Sequence, residues 1–182
     1  MLMKKKFTFL MMTCLMVLFG TVKAQDVSVI GDGETTISAD IPIPYNQTKS
    51  ITQLIYTQSE IGHGAAAITS IAFKQQSASA AERDIVVFMK NTTKDSFTAN
   101  NDWETLSESD IVYDGKFTTT TAGQWVTITL SKQFAYEGGN LLVSIFDNTG
   151  ATDWNSYFYT YSTGTIKRAK YYSNFMNLIL IQ

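Results

Sequence analysis

The chain has 182 residues, with 14 Lys and Arg against 16 Asp and Glu, one histidine and one cysteine. A nucleic-acid partner wants clustered Lys and Arg, and this balance does not supply them. Charged residues make up 16% of the chain against a typical ~25%, with Ser, Thr, Asn and Gln in their place.

The first element is a leader. Lys4, Lys5 and Lys6 form a basic start, Phe7 to Phe19 an apolar run, and Val22 and Ala24 are small residues two apart. This is the pattern of a cleavable secretory signal peptide and predicts a cut between Ala24 and Gln25. The run is shorter than the ~20 residues of a membrane span, and nothing polar marks a solvent face on it as a buried helix would need. Cys14 lies inside the leader, so the processed chain has neither disulfide nor thiol. Processing removes 24 of the 182 residues and four of the 14 basic ones, leaving 158 residues with 10 bases against 16 acids, about −6. The expected organisation is signal peptide 1–24 and a single domain 25–182. Its expected location is the periplasm, the cell surface or the medium. The mild acidity speaks against anionic lipid, and no membrane insertion of the mature chain is expected.

The rest reads as short strands between turns. Ile51 to Tyr56, Ile68 to Phe73, Asp84 to Lys90, Ile111 to Tyr113, Trp125 to Leu130, Leu141 to Phe146, Ser156 to Tyr161 and Asn177 to Ile181 are strand candidates. They are bounded by Gly, Asn, Asp and Ser clusters. Turns are expected at Gly31-Asp32-Gly33, Asp114-Gly115 and Glu137-Gly138-Gly139-Asn140, and a polar loop at Gln75 to Ala81. Pro42 and Pro44 mark an edge strand or an extended lead-in. A short helix or turn fits Asn101 to Glu108. Eight to ten strands in one domain predict an all-β fold: a two-sheet antiparallel β-sandwich of jelly-roll type.

Several stretches carry a resemblance. They are Ile30-Gly31-Asp32-Gly33, Gln53 to Thr57 with Glu60-Ile61-Gly62, and Ile68 to Phe73. Asn91-Thr92-Thr93-Lys94 with Phe97 and Trp103, Gly123 to Val126, Leu141 to Val143 and Asp147 to Gly150 extend it. The chain resembles an adhesin-like β-sandwich module of secreted and surface proteins of Bacteroidetes-type bacteria. That resemblance implies an extracellular binding or adhesion role, with glycans among the ligands.

Catalytic chemistry finds little support. His63 sits between Gly62 and Gly64, where nothing holds a triad histidine in place, so an exposed turn is expected. One histidine without cysteine cannot furnish a zinc set. Glu108 and Asp110, if on a strand, lie ~7 Å apart, and Asp110 and Asp114 ~13 Å apart. Val112 stands where a glycosidase would carry its second carboxylate, and a polysaccharide hydrolase is the least favoured reading. Asp147, Asn148, Asp153 and Asn155 offer calcium four oxygen-bearing side chains, fewer than the six to eight oxygens it takes. Ordinary turn chemistry accounts for them, so no cofactor is expected and calcium is the one to test.

Binding is better supplied. Tyr157, Tyr159 and Tyr161 alternate with Phe158 and Thr160, and on a strand their rings share a face at ~6.6 Å spacing. Such a face could stack sugar rings, with Trp154, Asp147, Asn148 and Asp153 close in sequence. The competing and preferred expectation turns the tyrosines inward and Phe158 outward. Trp125 is expected to be packed, and Trp103 to be an anchor or a lid. The sequence therefore predicts a non-catalytic extracytoplasmic binding module. Its candidate ligand residues are Trp103, Asp147, Asn148, Asp153, Trp154, Tyr157, Tyr159 and Tyr161, and its partner is an extracellular glycan or a surface protein. The alternative is a structural or protein-interaction subunit of a surface assembly.

Overall fold

The computed structural model describes residues 26–31, 36–77 and 79–173. The leader, its cut site, Cys14, the turn residues Asp32 and Gly33, and the strand expected at Asn177 to Ile181 lie outside them. Nine strands are described. They are β1 (Thr36–Ser38), β2 (Ser50–Tyr56), β3 (Ala66–Ser77), β4 (Glu82–Thr92), β5 (Ile111–Thr118), β6 (Trp125–Tyr136), β7 (Asn140–Asp147), β8 (Tyr157–Thr160) and β9 (Ala169–Ser173). A single helical turn, α1 (Gln58–Ile61), follows β2, started by a Thr57–Glu60 capping box.

The strands form two antiparallel sheets, one ordered β1-β8-β3-β6 and the other β5-β4-β7-β2-β9. Strands β1 to β8 in this arrangement make the jelly roll, and β9 is an added edge strand. The two sheets differ in how many faces they bury, and the sequence differs accordingly. Ile85, Val87 and Met89 of β4 and Val143 and Ile145 of β7 point between the sheets, meeting Ile128 and Leu130 of β6 and Phe158 of β8. On the other side of the same five-stranded sheet, Ile51, Ile55, Phe88 and Leu142 pack under Phe97 and Leu106. The 93–107 segment is thus a roof over that sheet. With both faces covered, β4 is apolar from Ile85 to Met89 and β7 from Leu141 to Phe146 except at Ser144. Two of the buried hydroxyls are satisfied by backbone carbonyls: Thr52 Oγ1 donates to Pro42 O at 2.7 Å and Ser144 Oγ to Thr52 O at 2.7 Å.

The roof is clamped by polar contacts. Gln53 donates through Nε2 to Glu104 O and accepts through Oε1 from Glu104 N–H, both at 2.9 Å. Lys170 of β9 lies 4.9 Å from the Phe97 ring centroid and 4.5 Å from that of Trp103. Its ammonium donates to Ala99 O, Asn100 O and Asp102 O, each at 3.1 Å. Trp103 thus lies in the roof, half-buried against the lysine.

The four-stranded sheet has a bare outer face, and β6 alternates accordingly between exposed and buried positions. Several expectations are corrected here. Asp114-Gly115 is not a turn: β5 runs through it, with Tyr113 folded over Gly115 and its hydroxyl donating to Lys116 O at 2.6 Å. Glu108 and Asp110 lie in a 3₁₀ turn rather than on a strand, and Asp110 closes a capping box with Ser107. Trp125 is not packed: 52% of it is exposed.

Candidate functional site

Phe158 decides how β8 is oriented. It is 1% exposed and sits in the inter-sheet core, its ring centroid 6.1 Å from Tyr45 and 6.4 Å from Phe73. This reverses the expectation of an inward tyrosine face. The hydroxyl-free ring goes inside, where a phenol would need a hydrogen-bond partner, and Tyr157 and Tyr159 go to the outer face, half-buried.

The loop after β7 is fastened from below by one buried ion pair. Arg83 of β4 and Asp147 of β7 are each 1% exposed. Arg83 Nε and Nη2 donate to Asp147 Oδ2 at 2.8 and 2.5 Å. Arg83 Nη1 donates to Ala151 O at 2.7 Å and Nη2 to Gln47 O at 2.8 Å. The guanidinium carbon stands 4.9 Å from the Tyr45 ring centroid, and burial pushes the Tyr45 hydroxyl pKa up to about 12. Asp147 Oδ1 accepts from Thr149 N–H at 2.9 Å and Thr149 Oγ1 at 2.5 Å. Both carboxylate oxygens are thus engaged inside the protein. Asp147 is corrected from ligand or calcium residue to structural anchor. Among the described residues no group of three or more His, Cys, Asp or Glu could hold a metal ion.

Above this anchor the 42–50 segment and the 147–157 segment are laced together. Gly150 N–H donates to Thr48 O at 2.8 Å and Asp153 N–H to Tyr45 O at 2.6 Å. Asp153 then organises the loop end. Its Oδ1 accepts from Asn155 N–H at 2.9 Å, and its Oδ2 takes the hydroxyls of Ser79 and Ser156. Ser77 Oγ holds Asn155 O at 2.8 Å, and Tyr157 hydroxyl holds Trp154 O at 2.9 Å.

These ties shape a small hollow of about 90 Å³, lined by Ala39, Asn46, Asp153, Trp154, Ser156 and Tyr157. Trp154 stands at its rim, 64% exposed. Asn46 Oδ1 is buried in the protein without a hydrogen-bond partner. Leaving such an acceptor unmet costs about 1–3 kcal/mol. The volume is well below the roughly 300–1,000 Å³ of sites that engulf a small molecule. A ligand can seat one face or one substituent here, with the rest of it outside.

No family model, curated protein or solved structure gives a significant match to this chain. The site must therefore be read from its own geometry.

Of the expected ligand residues, Asp153, Trp154 and Tyr157 come together in the hollow. Tyr159 lies on the same outer face, two residues along β8. Asn148 is exposed outside the hollow, its N–H donating to Asp84 O at 2.9 Å, and Asn155 is exposed beside it. Tyr161 turns away: its hydroxyl donates to Glu60 Oε1 at 2.9 Å, and Arg168 Nη1 also binds Glu60. Burial pushes the Glu60 pKa up. The Thr57 N–H and hydroxyl, the Tyr161 hydroxyl and the Arg168 charge outweigh that effect and hold it below the ordinary carboxylate range. Tyr161 is a brace between α1 and the segment before β9. Gly31, at φ +99°, passes so close that a Cβ there would lie 2.8 Å from Tyr161 Cδ1. His63 is exposed, its Nδ1 3.4 Å from Asp26 Oδ2. Sequence reasoning missed Ala39, Asn46 and Ser156. Only the turn character of Tyr45-Asn46-Gln47 could have drawn attention to Asn46.

Proposed function

We propose that this protein is a non-catalytic, extracytoplasmic binding module whose ligand is a glycan docked on the outer face of the four-stranded sheet. The observation that carries the reading is the hollow at Trp154. An exposed indole and a tyrosine ring flank a polar wall containing Asp153, Ser156 and Asn46. A sugar ring needs that combination: an aromatic surface for its C–H face and hydrogen-bonding groups for its hydroxyls. The shallow volume suits recognition of one unit of a chain that continues into solvent. The leader pattern supports export of the same domain.

The test is a glycan array probed with residues 25–182, with and without calcium, followed by the Trp154→Ala variant. The expected result is retention on a subset of glycans, unchanged by calcium and lost in Trp154→Ala. The melting temperature should hold to within about 1–2 °C, as for a surface substitution. Retention unaffected by Trp154→Ala, or binding to no glycan at all, overturns the reading.

A second reading, a protein-interaction subunit, is favoured by one observation. Strand β9 stands last in its sheet among the described residues and presents Tyr171 and Tyr172, both exposed. A concentration-dependent oligomer, or a partner lost on placing a proline in β9, would support it over the glycan reading.

A further inference from the structure

Among the described residues the lining of the Trp154 hollow holds one acid, Asp153, and no base. The base nearest to the lining in sequence, Lys49, is exposed three residues along from Asn46, while a second acid, Asp40, directly follows Ala39. Arg83 lies beneath the loop, but Asp147 sits against it and offsets its charge. No described base pairs with Asp153. Its Oδ1 accepts from the Asn155 N–H at 2.9 Å, and its Oδ2 from the Ser79 and Ser156 hydroxyls. These donors are neutral. They fix the carboxylate in place and leave its negative charge standing, which is where Asp153 differs from Asp147.

Two aromatic side chains complete the hollow. Trp154 stands at the rim, 64% exposed, and the Tyr157 hydroxyl donates to Trp154 O at 2.9 Å, which ties the two residues together. An aromatic face carries the negative side of the ring quadrupole and attracts a cation within about 6 Å. A volume of about 90 Å³ is under about 6 Å across as a sphere, so a group seated there stays close to the Asp153 charge and to both aromatic residues. The space suits one small substituent. A sulfate or a carboxylate would meet a like charge in it, whereas a cation meets a carboxylate and two rings.

We propose that the hollow selects an amino sugar, a hexosamine unit whose free, protonated amine seats in the hollow while its ring rests on the Trp154 indole. Attraction between the ammonium and Asp153 needs no vacant lone pair in a set direction, so the hydrogen bonds the carboxylate already makes do not block it. N-acetylation of the sugar removes the charge and with it both the ionic and the cation–π attraction. The excess of acids over bases, 16 against 14, draws a polycationic glycan in the same direction. This inference rests on the glycan reading above and names the class of glycan.

The experiment compares a β-1,4-linked glucosamine tetramer, the same tetramer fully N-acetylated, and tetralysine. Binding of each to the processed domain is measured by calorimetry at a pH where the amines are protonated. The free-amine sugar should bind about tenfold tighter than the acetylated one, the combined size of one exposed ion pair and one exposed cation–π contact. That ratio should shrink as ionic strength rises from about 0.05 to about 0.5 M, since the charge is screened. Asp153→Asn should bring the ratio to within about twofold of unity, whatever it does to the two affinities separately. Glu137→Gln, which removes an equal charge from the turn before β7, should keep the ratio. If Asp153→Asn does not fold, the salt series on the parent protein decides. Equal binding of the two sugars by the parent overturns the inference and leaves the glycan reading standing. A preference that ignores salt, survives Asp153→Asn or is lost equally in Glu137→Gln overturns it too. So does tetralysine bound as tightly as the free-amine sugar, since bare charge would then suffice. Failure of both sugars to bind removes the inference, while the array with Trp154→Ala decides the broader reading separately.

Discussion

Replacing Asp147 by alanine should be among the most damaging single changes in this domain. Among the described residues the Arg83 guanidinium hydrogen-bonds one anion, the Asp147 carboxylate, and both groups are 1% exposed. Removing it leaves a cation buried with two backbone carbonyls for company. Breaking a buried pair in this way costs about 3–5 kcal/mol, because the remaining charge has lost both water and partner. In a domain of this size each kcal/mol moves the melting temperature by roughly 2–4 °C, so the expected loss is roughly 6–20 °C. Asp147→Asn separates charge from volume. It keeps the shape but turns an amide donor, or a weaker acceptor, toward the guanidinium, and should still lose most of that stability. The double variant Arg83→Met with Asp147→Leu should recover a large part of it, since an apolar pair of similar size carries no desolvation cost. Melts followed by circular dichroism, combined into a double-mutant cycle, give the coupling directly. The reasoning is refuted if Asp147→Asn melts within about 2 °C of the parent, or if the double variant is as damaged as Asp147→Ala. Because Arg83 also holds Gln47 O and Ala151 O, the double variant should stay folded yet lose glycan retention as the hollow loosens.

Three further outcomes follow from the same structure. Phe158→Ala should cost about 3–5 kcal/mol in a denaturant titration, whereas Trp125→Ala should change stability by less than about 0.5 kcal/mol, which inverts what an inward tyrosine face requires. Asp102 is bound by the Lys94 ammonium and by the Thr98 N–H, which bring its pKa to about 2 against the opposing effect of burial. A carboxylate lowered in the folded state adds stability above its unfolded pKa near 4 and loses it as the pH falls toward 2. Asp102→Asn should therefore flatten the acid limb of the stability curve in that window, and an unchanged limb would contradict the assignment. Expression with the native leader should yield an exported chain whose amino terminus, read by mass spectrometry, is Gln25, and an intact Met1 in the export fraction would refute the cut after Ala24.

How much of this was legible depended on what each segment does. β2, β4 and β7 announce themselves because the sheet they belong to is covered on both sides, so Ile, Val, Leu and Phe occupy both faces, interrupted only by Thr52 and Gln53 in the middle of β2 and Ser144 in β7. β9 and β1 are edges. Ala169 to Ser173 carries a lysine and two exposed tyrosines, and its pairing with β2 leaves no hydrophobic trace in the sequence. Turn chemistry misled at Asp114-Gly115, where the glycine accommodates the Tyr113 ring rather than reversing the chain. Two errors in the site were avoidable. The alternation that puts Val126, Ile128 and Leu130 inside also puts Trp125 outside, and Phe158 is the one ring on β8 that brings no hydroxyl into the core. Asp147 could not have been separated from the loop acids by sequence, because its partner Arg83 is 64 positions away.

The 93–107 roof has a consequence for how the molecule meets anything else. A jelly roll ordinarily offers two broad flanks, but here one flank is upholstered by its own chain, with Phe97, Leu106 and the Trp103–Lys170 stack occupying the ground a visitor would need. The domain accordingly has a front and a back. Held to a surface by its roofed side it would point Trp125, Tyr157 and Tyr159 of the opposite sheet outward, and held the other way round it would be blind.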